Sequence, residues 1–388
     1  MAATLNSALD LLDDLVRFPG LPGQSNLDIA GYVQAYLKDH GVYSELIFDD
    51  SGERANLLAT IGPAVDGGIA LSGHMDVVPV DGQAWTRPAF ELTREAGRVY
   101  GRGAVDMKGF LACALAVVPD LVTAPLKRPV HLAFTYDEEP GSIGAPGLAR
   151  HFVATGMKPA AVIVGEPTEM KVVAGHKGGF ERCTRFTGVA GHSSDPARGV
   201  SAIHYAARFI TFLEGLGQEF AANPLPDSPF HPPYNTVNVG TIGGGAGRSI
   251  IAEDCTLDWE LRVTPPDDGI AAMRRIEAFL NDLEAQMQAA FPQASIVTEQ
   301  VSNYPGLRFD PGSSALDVVR QLSGENGFTA APFGTDAGCF DREGLPSVVF
   351  GPGSIEQAHI PDEYIETAQI EACLAFLGAL CDRQCRDL

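Results

Sequence analysis

The chain has 388 residues, with 49 acidic against 27 basic side chains and a formal net charge of −22. That length suggests two domains, or three, and the acidity argues against a nucleic-acid surface or docking on an anionic membrane. Hydrophobic residues make up 45% of the chain, enough for a sizeable core, yet no run approaches the ~18 apolar residues of a membrane span.

From the N-terminus, Leu5, Leu11, Leu12, Leu15 and Val16 mark one helical stripe. Ile29, Val33, Tyr36 and Leu37 mark a second, stopping near Gly41. Asp10, Asp13 and Asp14 fall where a secretion leader needs a basic start and an unbroken apolar stretch. The seven cysteines are odd in number, widely spaced and lack a CxxC pair, which fits reduced thiols. The location expected from these features is cytoplasmic.

Short apolar runs then appear at 69–71, 130–134, 161–164 and 348–350, bounded by Gly or Pro and separated by helical stretches such as 110–122. Buried strands alternating with helices predict an α/β domain with a mainly parallel sheet. Residues 180–300 read differently. Cys255, Leu257, Trp259, Leu261 and Val263 alternate with polar residues as a half-buried strand, and 236–242 is its expected neighbour. Two stripes flank them, Val200, Ile203, Ala207, Ile210, Leu213 and Ile270, Met273, Ile276, Leu280, Leu283, Met287. The expected organisation is a catalytic domain of residues 1–179 and 301–388, interrupted by an inserted α+β domain, 180–300, with two helices on an antiparallel sheet.

The apolar runs lead to potential metal ligands: 69–71 to His74, with Asp76 two residues on; 130–134 to Glu138 and Glu139; 161–164 to Glu166; and 348–350 to His359. Between the first two, Val99 and Tyr100 lead to Asp106. Ligands of open α/β sheets bind beyond the carboxyl ends of the strands, so these loops would gather two imidazoles and four carboxylates at one edge. Imidazole and carboxylate are what Zn²⁺ accepts without thiolates. Carboxylates so close together would hold protons unless a cation neutralised them. Singly, a histidine at a strand end is more often a satisfied polar group, and three acids in a row a solvated turn; the combination carries the reading.

The stretches SGHMDVVP (72–79), GRGAVDMKG (101–109), TYDEEPGSIGA (135–145), GEPT (165–168), HKGG (176–179), AGHSSDPARGV (190–200) and GPGSIEQAHIPDEY (351–364) resemble, in order, the dinuclear zinc aminoacylases and deacylases. That family includes acetylornithine deacetylases, succinyl-diaminopimelate desuccinylases and glutamate carboxypeptidases. The resemblance implies two Zn²⁺ per subunit, with Co²⁺ able to substitute. His74 and Glu166 would hold one, Glu139 and His359 the other, and Asp106 would bridge them. Asp76 would orient His74, Glu138 would be the general base acting on a water shared by the metals, and His192 would act in the active site of a partner subunit, implying a homodimer. The inserted domain would serve as lid and dimerisation unit. AGHSSDPARG and the last stretch are most similar to acetylornithine deacetylases, which implies hydrolysis of N²-acetyl-L-ornithine to L-ornithine and acetate. Succinyl-diaminopimelate, another N-acyl amino acid or a C-terminal peptide bond are the alternatives. Arg248, after the GGGAG turn, and Asp336 in FGTDAG are the expected substrate contacts.

Two other classes are weaker. GRGAVDMKG is not GxGxxG, and GGGAG lacks the Lys-Ser/Thr of a phosphate loop. A binding protein that had lost catalysis would lack a ligand or the base, and all six inner residues are present.

Overall fold

The computed structural model describes residues 3–387. The chain divides into two compact units, Lys177–Gly306 and the chain on either side of it.

The outer unit begins with α1 (Leu5–Val16), α2 (Leu27–Asp39), β1 (Ser44–Phe48), β2 (Ala55–Ile61) and β3 (Ile69–His74). It continues with β4 (Thr93–Glu95), β5 (Arg98–Tyr100), α3 (Lys108–Ala116), α4 (Val118–Thr123), β6 (Val130–Thr135), α5 (Ala145–Ala154), β7 (Ala161–Val164) and β8 (Val173–His176). The inner unit holds β9 (Gly178–Thr187), α6 (Ala202–Ala222), β10 (Thr236–Gly244), β11 (Asp254–Val263), α7 (Ile270–Ala290) and β12 (Ser295–Tyr304). The chain then returns through α8 (Ser314–Ser323), β13 (Thr329–Ala331), α9 (Ala337–Arg342), β14 (Ser347–Val349), β15 (Tyr364–Glu366) and α10 (Thr367–Gln384).

The outer sheet runs β1-β2-β6-β3-β7-β14-β8-β13. Its centre, β6-β3-β7-β14, is all parallel, with Leu71 level with Leu132 and Ile163, and Val348 level with Ile163. These strands are the four apolar runs of the sequence. Both faces are covered, so alternate residues enter different cores. Leu71, Leu132, Ile163 and Val348 join the side chains of α1, α3 and α10, whereas Ala70, Ala133, Val162 and Val349 join those of α5 and α9.

Two elements differ from expectation. The helix expected over 110–122 breaks at Val117 into α3 and α4. Pro119 has no N–H to give the Leu115 carbonyl, which instead accepts the Tyr36 hydroxyl at 3.1 Å. The strand before Asp106, β5, is not in the large sheet; it lies in a three-stranded antiparallel ribbon, β15-β5-β4. Only Val99 of its three residues is buried, too little apolar surface for a central strand.

In the inner unit, β10-β11-β9-β12 form an antiparallel sheet whose core also takes in α6 and α7. Cys255, Leu257, Trp259, Leu261 and Val263 are all buried, as their alternation predicts. Leu213 is buried as expected, but the rest of the buried stripe of α6 is Ala202, Ala206, Phe209 and Leu216, one residue before the expected Ile203, Ala207 and Ile210, and Ile203 is exposed. Phe209 decides this: its ring meets Phe186 and Trp259 edge-on or tilted, with centroids 6.1 and 5.6 Å away. Among the described residues, no helix is long and apolar enough to cross a membrane.

Candidate metal centre

His74 ends β3, and its two ring nitrogens have different partners. Nδ1 lies 2.9 Å from the Asp76 main-chain carbonyl, so it carries the proton and donates. Nε2 faces Asp106 Oδ1 at 3.0 Å and Glu166 Oε1 at 3.8 Å. With Nδ1 fixed as donor, Nε2 keeps its lone pair for a cation. The Asp76 carboxylate, 3.5 Å from Nδ1, accepts the amides of Glu138 at 3.0 Å and Glu139 at 3.1 Å. Asp76 thus ties the His74 strand end to the loop after β6.

Asp106 lies between two imidazoles. Its Oδ1 faces His74, while its Oδ2 is 3.1 Å from His359 Nε2, which also lies 3.2 Å from Glu139 Oε2. The arrangement is two half-sites around one shared carboxylate: His74 with Glu166, and His359 with Glu139. Ligand atoms of His74, Asp106 and Glu139 lie within 4.8 Å of one another, as do those of His74, Glu138 and Glu166. The structure therefore brings together the six residues that the sequence places at loop ends.

Electrostatics make the same point. Burial and the neighbouring Glu166 carboxylate push Glu138 well above the ordinary range; burial and Asp106 do so for Glu166, and raise Glu139. Hydrogen bonds to Asp106 and Glu139 raise His359 to about 10. Burial opposes charge on His74, but Asp106 and Asp76 outweigh it and raise that imidazole too. Left to itself, the cluster retains protons; a pair of divalent cations neutralises the carboxylates and needs both imidazole lone pairs. The donor set fits such a pair.

Asp336 lies close enough for its charge to raise Glu138 and Glu166, but it is buried. Its Oδ2 accepts the Thr135 hydroxyl at 2.6 Å, its Oδ1 has no hydrogen-bond partner, and burial raises its pKa to about 6. His192 and Arg248 belong to the inner unit, and both are exposed. The Ser193 amide donates to the Ser249 carbonyl at 3.0 Å and the Ile251 amide to Gly191 at 2.8 Å, which sets the two segments side by side.

Backbone packing also shapes the centre. A Cβ on Gly165, just before Glu166, would stand 2.0 Å from Cγ of the buried Phe110 ring. Gly165→Ala should therefore destabilise the protein by about 1–3 kcal/mol, measured as a lower denaturant midpoint; an unchanged midpoint would mean that the ring yields freely.

Residues 70–383 match Peptidase family M20/M25/M40. The chain belongs to this family. It is a metal-dependent amidohydrolase, as the M20 match and the donor cluster together require. It is 36% identical to an acetylornithine deacetylase of Shigella sonnei (strain Ss046) over 355 residues, covering 90% of this chain and 88% of that one. It is 34% identical to an acetylornithine deacetylase of Proteus mirabilis (strain HI4320) over 398 residues, covering 99% and 98%. Among M20-like folds, it superposes on a metallo-carboxypeptidase, Sso-CP2, of Sulfolobus solfataricus (TM-score 0.77, 19% identity, 97% and 99% covered). A Staphylococcus aureus tripeptidase is also similar (TM-score 0.75, 19% identity, each chain fully covered).

Sequence reasoning passed over Gln83, Arg102, Thr135 and Glu363, whose side chains support the centre. Arg102 and Glu363 sit inside two of the quoted motifs, but their pairing joins segments 261 residues apart and leaves no local signal.

Proposed function

We propose that the protein hydrolyses the amide bond of N²-acetyl-L-ornithine to L-ornithine and acetate, in the cytoplasm and in arginine biosynthesis. The observation that carries this reading is Asp106 between His74 and His359, with Glu166 and Glu139 completing the two halves. The names of the 34–36% identical relatives supply the substrate.

His74, Asp106 and Glu166 would hold one cation, and His359, Asp106 and Glu139 the other. Imidazole and carboxylate donors suit Zn²⁺, with Co²⁺ as a substitute. Bound there, the pair would polarise the substrate carbonyl and acidify a water. Glu138 takes the proton of that water as its oxygen attacks the carbonyl carbon, then delivers it to the leaving amine. The raised affinity of Glu138 for a proton suits it to both steps. Asp76 holds the Glu138 amide and so fixes where the base stands.

His192, from a second copy of the chain, would donate to the developing oxyanion, and the unit Lys177–Gly306 would act as lid and dimerisation unit. Arg248, beside His192, would clamp the substrate α-carboxylate with its planar fork. Asp336 adds negative charge that favours the ornithine ammonium.

The test is hydrolysis of N²-acetyl-L-ornithine, N-succinyl-diaminopimelate and N-acetyl-methionine at equal concentration by zinc-loaded protein. Acetylornithine should lead by tenfold or more, the equivalent of about 1.4 kcal/mol in transition-state binding. A lead for either rival would keep the chemistry and change the substrate. A monomeric mass in solution would remove the trans role of His192.

A further inference from the structure

Outside the ligand cluster, one buried polar array has no part in the mechanism above. Arg102 is 1% exposed. Its Nη1 donates to Glu363 Oε2 at 2.6 Å, and its Nη2 to Gln83 Oε1 at 2.5 Å. Its guanidinium lies 5.1 Å from the centre of the Trp85 ring, whose Nε1 also donates to Gln83 Oε1 at 2.9 Å.

The far ends of this array are backbone atoms of two ligands. Glu363 Oε1 accepts the amides of Val105 at 3.0 Å and Asp106 at 3.2 Å. Gln83 Nε2 donates to the main-chain carbonyl of His359 at 3.1 Å. Arg102 thus spans the backbones of Asp106 and His359, which lie 253 positions apart in sequence. His359 needs holding: its φ is 61°, in the left-handed region, and its side chain is half exposed. His74 is held differently: the carbonyl and carboxylate of Asp76 steady it.

We propose that Gln83, Arg102 and Glu363 are positioning residues for one half of the metal centre, the half made by His359, Glu139 and Asp106. They set the spacing of the Asp106 and His359 side chains through the main chain, and so the affinity of that half for its cation. A buried ion pair is a costly way to gain stability, but its fixed geometry suits a device that must hold two loops in register. The inference rests on the two-cation reading above.

The experiment is calorimetric titration of metal-stripped protein with Zn²⁺ alone, on wild type, Gln83→Ala and Arg102→Lys. Gln83 is half-buried, and its replacement leaves the Arg102–Glu363 pair intact, so that variant should fold. Wild type should take up two equivalents. In Gln83→Ala one binding step should weaken by about 10–100-fold, with the other step and the metal-free Tm unchanged. Its kcat should fall at low Zn²⁺ and recover at high Zn²⁺. Arg102→Lys, which also loosens Glu363 and with it the shared Asp106, should weaken that step most and the other step less. Two unchanged steps in Gln83→Ala, or two steps weakened equally together with a lower Tm, would overturn the proposal. Wild type taking up fewer than two equivalents would instead overturn the two-cation reading, and this inference with it.

Discussion

Glu138→Ala should lower kcat by at least the roughly 10²–10⁴-fold that a positioned proton-transfer group contributes, while the protein still binds both cations. Glu138 is not needed to complete either half-site around Asp106: Glu166 accompanies His74, and Glu139 meets His359. Yet its carboxylate lies within 4.8 Å of the ligand atoms of His74 and Glu166, close enough to reach a water between the halves. Burial and the Glu166 charge raise its proton affinity, so it can hold what it takes until the amine leaves. Because Asp76 fixes its amide and that of Glu139 together, removing the side chain should leave the loop in place and KM little changed. Metal analysis beside the kinetics decides the matter. A variant that had lost one cation would make Glu138 a ligand, and the base would have to be sought elsewhere.

The cluster was legible because α/β topology does half the work. Four runs too short and too apolar for surface helices had to be buried strands, and parallel strands deliver their following loops to one edge. His74, Glu138, Glu139, Glu166 and His359 could be placed at that edge on that basis alone. Asp106 joins the cluster by a different route, since its strand belongs to the β15-β5-β4 ribbon. That ribbon pairs Tyr100 with Tyr364 and Val99 with Ile365, clamping the Asp106 segment to the chain just beyond His359. Pairings between segments so distant in sequence leave no local pattern. The same holds for Arg102 with Glu363 and for Thr135 with Asp336. The stripe of α6 was misplaced for a nearer reason: aliphatic spacing was followed, and the buried aromatic Phe209 was left out. Asp336 reads from sequence as a substrate contact; its burial and its bond from Thr135, 201 residues away in sequence, leave no local pattern.

After a chelator has stripped the metal, added Zn²⁺ should raise Tm more at pH 8 than at pH 5.5. Burial raises Asp336 to about 6, partly offset by its Thr135 hydrogen bond. A carboxyl raised in the fold stabilises fully below its unfolded pKa near ~4, and that stability is lost as pH rises through the folded value. Glu138, Glu139 and Glu166 are raised and act with the same sign. His359, raised to about 10 by Asp106 and Glu139, contributes fully below ~6.5 and loses that contribution as pH climbs towards 10. Asp106 works the other way: burial opposes its charge, but its two imidazole partners hold it below the usual range. Its contribution is present above ~4 and lost on acidification, outside the window tested. Every resolved shift in the cluster between pH 5 and 9 therefore points downward, whereas burial lowers His131 to about 4 and Lys108 to about 7, and these groups outside the cluster act upward. Cations demand the opposite protonation state, with carboxylates ionised and imidazoles neutral. Their binding tightens as pH rises, and ligand at about a hundred times Kd adds roughly 2.7 kcal/mol to the folded state. A Zn²⁺ shift in Tm that shrinks with pH would mean that the cluster does not hold its protons in competition with metal.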